Sequence, residues 1–162
     1  MTQFELMADV LVRNLEMLKM TLADFTDADL MVRPCVGANH TAWQLGHLIN
    51  SETRMVGMCG GSMPELPPGF AEKFTKETTK NDDPHFFPGK AALLEQFAKT
   101  RAGTINFAKN LTPAGLDKPG PAPMATMAPT VGHLLGLANG HVMMHMGQIQ
   151  VIRRKLGKPI LF

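Results

Sequence analysis

Two histidines, His141 and His145, stand four residues apart in the run His141-Val142-Met143-Met144-His145-Met146-Gly147-Gln148-Ile149. On a helix four residues advance about 400°, so the two imidazoles leave one face roughly 6 Å apart along the axis. That spacing lets one helix offer two nitrogen ligands to a single metal ion. A third histidine, His47, lies in a separate apolar stretch. Folding the two stretches together would produce a three-histidine site with open coordination positions, which is what metal catalysis requires. Spacing alone leaves a second reading open, in which each buried imidazole hydrogen-bonds a carbonyl or polar side chain and no metal is involved.

The other candidates are weaker. His133 precedes His141 by eight residues and His40 precedes His47 by seven, about 12 and 10 Å along a straight helix, too far to share a metal. His85 falls in Asn81-Asp82-Asp83-Pro84-His85, a turn-forming sequence. Trp43, one turn before His47, reads as core sooner than as a substrate platform. Arg153-Arg154-Lys155 reads as cations complementing the macrodipole of a last helical turn. Neither Cys35 nor Cys59 has an activating neighbour. The chain contains no serine elbow, phosphate loop or catalytically spaced carboxylate pair.

The elements that must position the histidines follow from periodicity. Phe4, Met7, Leu11, Leu15, Leu18 and Leu22 recur at steps of three and four and predict a helix over 2–22. Residues 24–34 read as a turn. A second helix is predicted to open at Thr41, with Thr41-Ala42-Trp43-Gln44 in capping-box form, and to run to Cys59 before Gly60-Gly61. The proline-rich stretch 60–88 reads as a long connection with a short helix near 70–79. A third helix is expected over 90–110. A loop over 112–129 with five prolines is stiff enough to wall a pocket. A fourth helix over 130–156 carries Val131, Leu134 or Leu135, Ala138, Val142, His145, Ile149, Ile152 and Leu156 on its core stripe. Four long helices without alternating strands predict an all-α four-helix bundle with long crossover connections, as one domain over 1–162.

Composition narrows the function classes. Sixteen basic and 14 acidic residues give a net charge of +2 with no like-charge block, so neither nucleic acid nor an anionic membrane is an expected partner. No apolar run reaches the roughly 18 residues of a membrane span. Two cysteines without C-x-x-C spacing or a secretory signal fit reduced thiols and a cytoplasmic location. Thirteen methionines and no tyrosine fit an adaptable core or pocket.

Thr41-Ala42-Trp43-Gln44-Leu45-Gly46-His47-Leu48, together with His141-x-x-x-His145-x-Gly147-Gln148-Ile149 and Arg153-Arg154-Lys155-Leu156-Gly157, resembles the DinB-like superfamily. That group comprises damage-inducible metal-binding four-helix bundles, including bacillithiol transferases and, more distantly, mycothiol-dependent maleylpyruvate isomerases. The resemblance implies a divalent metal on His47, His141 and His145, a homodimer, and activation of a low-molecular-weight thiol for transfer to an electrophile. The expected metal is zinc, with nickel, iron or manganese also compatible with the ligand set. Many relatives carry His and Arg flanking the second ligand of the pair, where this chain has Met144 and Met146. The leading expectation is therefore a metal-dependent thiol S-transferase or related hydrolase acting on a small molecule. Gln148 and Asn50, each one turn from a ligand, are candidates to orient ligands or substrate. The alternative is a non-catalytic metal-binding stress-associated bundle or binding module.

Overall fold

The computed structural model of the protein describes residues 1–161. Its helices are α1 (Gln3–Leu22), α2 (Asp27–Leu30), α3 (Thr41–Met58), α4 (Lys90–Lys109), α5 (Pro113–Leu116) and α6 (Val131–Lys155), with 3-10 turns at Ala71–Phe74, Glu77–Lys80 and Ala122–Met124. Among the described residues there is no strand, only an isolated bridge between Pro119 and Thr130. The four long helices are the ones predicted from periodicity, each within about two residues of its expected ends. α1 and α3 each pack against both α4 and α6, so the two pairs occupy the two diagonals of the bundle. The segments joining α1 to α3 and α4 to α6 therefore cross it, as expected for a bundle with crossover connections.

Local chemistry sets the boundaries. Thr2 and Glu5 form a reciprocal capping box at the start of α1, and Thr26 and Asp29 do the same for α2. α2 lies inside the segment read as a turn; one helical turn is too short to show a period, and only its cap marks it. The predicted cap of α3 is displaced by one residue. His40, not Thr41, is the N-cap, its Nδ1 accepting the Trp43 backbone N–H at 3.1 Å. A ring nitrogen replaces the usual hydroxyl there, which frees Gln44 for another task. Gly60 and Gly157 follow the ends of α3 and α6 with φ of +82° and +68°, the left-handed geometry that glycine adopts without Cβ strain.

The main core joins Leu15, Leu18 and Leu22 of α1 to Leu45, Leu48 and Ile49 of α3, Leu93 and Phe97 of α4, and Val142, Ile149 and Ile152 of α6. A smaller cluster, Met55, Leu134 and Ala138 with Ala128, ties the α3–α6 seam to the proline-rich loop. Inside the α3–α4 seam, Glu52 and Arg101 form a buried pair with Nη2 and Oε2 2.9 Å apart. The contact is electrostatic, since neither atom has a hydrogen bond of good angle, and the Thr104 hydroxyl donates to the other Glu52 oxygen at 2.6 Å.

Arg153 corrects the reading of the basic triplet. Only Arg154 and Lys155 are exposed; Arg153 is 1% exposed. Its guanidinium pairs with both oxygens of Asp24 and donates to the carbonyls of Thr21 at 2.7 Å and Pro159 at 2.9 Å. Periodicity gave no sign of this because a cation in a last turn usually faces solvent. Arg153→Ala is expected to lower unfolding stability by about 3 kcal/mol, because two carbonyls and the Asp24 carboxylate lose their partner. Arg154→Ala should change it by less than about 0.5 kcal/mol. Urea denaturation of the two variants checks the contrast.

Candidate metal centre

His47 sits in the second turn of α3, and its position is fixed from the side. The Trp43 ring stacks on it at 4.8 Å between centroids and 11° between planes. Trp43 is in turn held by its indole N–H, which faces the Thr75 carbonyl at 3.2 Å and the Thr78 hydroxyl at 3.1 Å. The first long connection thus reaches the centre through Trp43. It passes so close to α3 at Gly46 that a Cβ there would lie 2.1 Å from the Phe74 ring. Only a glycine admits Phe74, which is buried with Phe70 and Phe87.

His141 and His145 come from α6 as predicted, with Nε2 atoms 3.1 Å apart. His47 Nε2 lies 3.2 Å from His141 Nε2, and all three imidazoles offer ligand nitrogens within 4.8 Å of one another. Among the described residues no other group of three His, Cys, Asp or Glu is assembled in this way. His145 is buried, while His47 and His141 are half-buried.

Gln44 determines which nitrogen of His145 faces inward. Its amide nitrogen donates to the Asn39 carbonyl at 2.7 Å, so its oxygen is the atom 3.0 Å from His145 Nδ1. An amide oxygen only accepts, which places the His145 proton on Nδ1 and leaves Nε2 as a lone pair directed at the other rings. Burial pushes the His47 imidazole below its ordinary value. Burial, with His47 adding to it, pushes His141 down to about 4. His145 falls to about 3 through burial and the charges of His141 and His47, opposed by the Gln148 side chain. At neutral pH the centre therefore presents uncharged imidazoles, the form that ligates metals. Three converging nitrogens with few protons among them repel one another, and a shared cation relieves that repulsion. The donor set and its placement fit a divalent metal.

The centre opens on a cavity of about 500 Å³ that touches His47 and His141. Met55 on α3, Leu137 and Met144 on α6, and Pro123, Met124 and Met127 from the proline-rich loop give it apolar walls. That loop does wall a pocket. Ser51 and Arg54 supply the remaining polar lining. A separate hollow of about 340 Å³ beside Pro67, Pro88 and Gln96 contains no histidine.

The remaining sequence candidates take other places. His40 caps α3 and contacts the Asn81 carbonyl at 3.1 Å, and His133 pairs with the Thr130 cap of α6. His85 lies exposed in its loop. Asn50 donates to the Ala71 carbonyl at 3.0 Å, tying α3 to the first 3-10 turn. Gln148 is exposed, one turn beyond His145. Of the two methionines that flank His145, Met144 faces the cavity. Met146 is 4% exposed with its sulfur 3.9 Å from the Thr21 hydroxyl, so it is core. Cys35 is exposed and Cys59 half-buried, both free thiols, and burial pushes the Cys59 thiol up. Gln44 is the residue that sequence reasoning assigned to another role, because its spacing from Thr41 imitates a capping box. Its polarity within the apolar run Trp43 to Leu48 was the available signal.

Comparison with known proteins places these features. The family model described as the DinB superfamily matches residues 11–149. A search of curated protein sequences finds no match. Among solved structures, the crystal structure of a conserved protein of locus from Enterococcus faecalis is similar over 98% of this chain and 99% of its own, with a TM-score of 0.71 and 18% identity. At that identity the likeness shows a shared fold.

Two measurements test the centre. Gln44→Leu should weaken zinc binding roughly 10- to 100-fold without loss of helicity, since it frees the ring that it orients; titration followed by fluorescence of the single Trp43, stacked on His47, reads the affinity. In the metal-free protein the depressed imidazoles remain neutral below the ordinary value of 6.5, where the unfolded chain takes up protons. The contribution of these imidazoles to stability should therefore fall as pH drops from about 6.5 and level off only below about 3 to 4. Thermal melts from pH 7 to 5 should show a shallower decline in His145→Leu than in the wild type.

Proposed function

The chain belongs to the DinB superfamily, and on that premise we propose that it is a metal-dependent enzyme, a thiol S-transferase or related hydrolase, built on His47, His141 and His145. The observation that carries this reading is the convergence of three neutral imidazole nitrogens at the edge of a cavity of about 500 Å³. A structural metal site is closed by its protein ligands, whereas a catalytic one keeps access for substrate. The half-buried His47 and His141 both line the cavity, which favours the catalytic alternative over a purely structural metal.

A divalent metal held by the three histidines, zinc foremost, would stabilise thiolate over thiol at neutral pH and so supply the nucleophile. The protein's own contributions are positional. Gln44 holds the Nδ1 proton of His145, Trp43 fixes the plane of His47, and the methionine and proline walls give apolar contact to the space where a thiol and an electrophile would meet. The reading extends to a homodimer in the cytoplasm. Exposed Val12 and Met20 on α1 and Met143 and Val151 on α6 offer apolar surface on adjacent helices, and both cysteines are free.

Elemental analysis of the untagged protein is expected to give about one divalent metal per chain in the wild type and none in His145→Ala, which removes one of three ligands. Cobalt substitution followed by thiol titration then separates the two roles of a metal. A change in the cobalt absorption on adding thiol supports the enzyme; a spectrum indifferent to thiol would leave a closed structural site.

A further inference from the structure

We infer that the cavity beside His47 and His141 takes an apolar organic acid whose anionic group is bound by Arg54. The inference rests on this cavity being the substrate site of the proposed enzyme, and it names the class of substrate. His47, Ser51 and Arg54 follow one another at steps of four and three, and all three line the cavity. They form one polar strip along α3. Seven residues separate His47 from Arg54, about 10 Å of helix axis, so the histidine centre and the guanidinium stand at two ends of the same space.

The chemistry of the walls selects what lies between them. Met124, Met127, Met144 and Leu137 from other segments, with Met55 of α3 itself, complete the lining and offer only apolar contact. Thioether side chains adapt to irregular shapes, so the body of the ligand is specified by its apolarity more than by its outline. Arg54 is the one lining residue with a formal charge. Among the described residues it enters no ion pair with a carboxylate, unlike the seven cations of the bundle that do. An exposed guanidinium with a free fork binds a carboxylate through two parallel hydrogen bonds. It repels cationic ligands, and the methionine walls give no partners to strongly polar ones. An acid with an apolar body satisfies both, presenting the end remote from its carboxylate to the histidines.

The test is calorimetric titration of the purified full chain, carrying the metal it is isolated with, by 4-phenylbutyrate and by its neutral analogue 4-phenylbutanamide. In the wild type the acid should bind about tenfold more tightly than the amide, the worth of a charge-assisted pair. Arg54→Met should abolish that preference and leave amide binding unchanged. Equal affinities in the wild type, binding of neither probe, or a preference that survives Arg54→Met would overturn the inference, the last because the carboxylate would then be held at the histidines. Arg54-dependent binding of glutathione without binding of phenylbutyrate would also overturn it, assigning Arg54 to a polar thiol instead. Metal content measured on the same samples separates the two readings. A metal-loaded wild type that lacks the Arg54-dependent preference fails this inference alone, whereas a chain that takes up no metal fails the enzymatic reading while the preference is still measured.

Discussion

The hydrogen bond from His145 Nδ1 to the Gln44 amide oxygen is the interaction on which the centre depends. A buried imidazole without a partner is costly, and one with a partner on the wrong nitrogen turns its proton toward its neighbours. Anchoring the Gln44 amide on Asn39 settles both matters at once. It also joins α3 to α6 across the seam where the two helices bring their histidines together. With His145 fixed, His141 follows one turn earlier on the same helix, and His47 meets both from α3. Burial keeps all three rings uncharged, so the site is basic in the Lewis sense without carrying positive charge.

The connections are as much a part of this arrangement as the long helices. The segment between α3 and α4 supplies Thr75 and Thr78 to the indole N–H of Trp43 and passes Phe74 over Gly46. A stacked ring pair then transmits that fixation to His47. The segment between α4 and α6 supplies Pro123, Met124 and Met127 to the cavity, while Ala128 anchors it in the second core cluster. Prolines limit the conformations such a loop can take, which suits it to hold a wall in place. At the far end of α6, Arg153 ties the helix to the α1–α2 junction through Asp24 and Thr21. The helix that carries two of the three histidines is thereby held by its C-terminus as well as by its core stripe.

Superfamily membership and the shared fold of the Enterococcus faecalis structure define a scaffold; the cavity defines what this chain could do with it. Met144 stands on the cavity wall, and Met146 has withdrawn into the core. Of the two methionines, only Met144 shapes the cavity. The result is a space with apolar walls, histidines at one end and a single guanidinium at the other.

Much of this architecture is written in the sequence, because helical periodicity is a local property. The steps of three and four in 2–22 and 130–156 imply helices with one apolar face, and the His141–His145 spacing implies two imidazoles on one side whatever α6 packs against. Residue order is silent on contacts between distant segments. Gln44 reads as half of a capping box from Thr41, and only the approach of α6 makes it the partner of His145. Arg153 reads as a solvated cation until the α1–α2 junction closes over it. His47 joins the pair on α6 across 94 residues because the crossover connections set α3 beside α6. The residue types of the centre were fixed by the chain; their meeting, their protonation and the cavity beside them were decided by packing, which brings together groups that no local pattern relates.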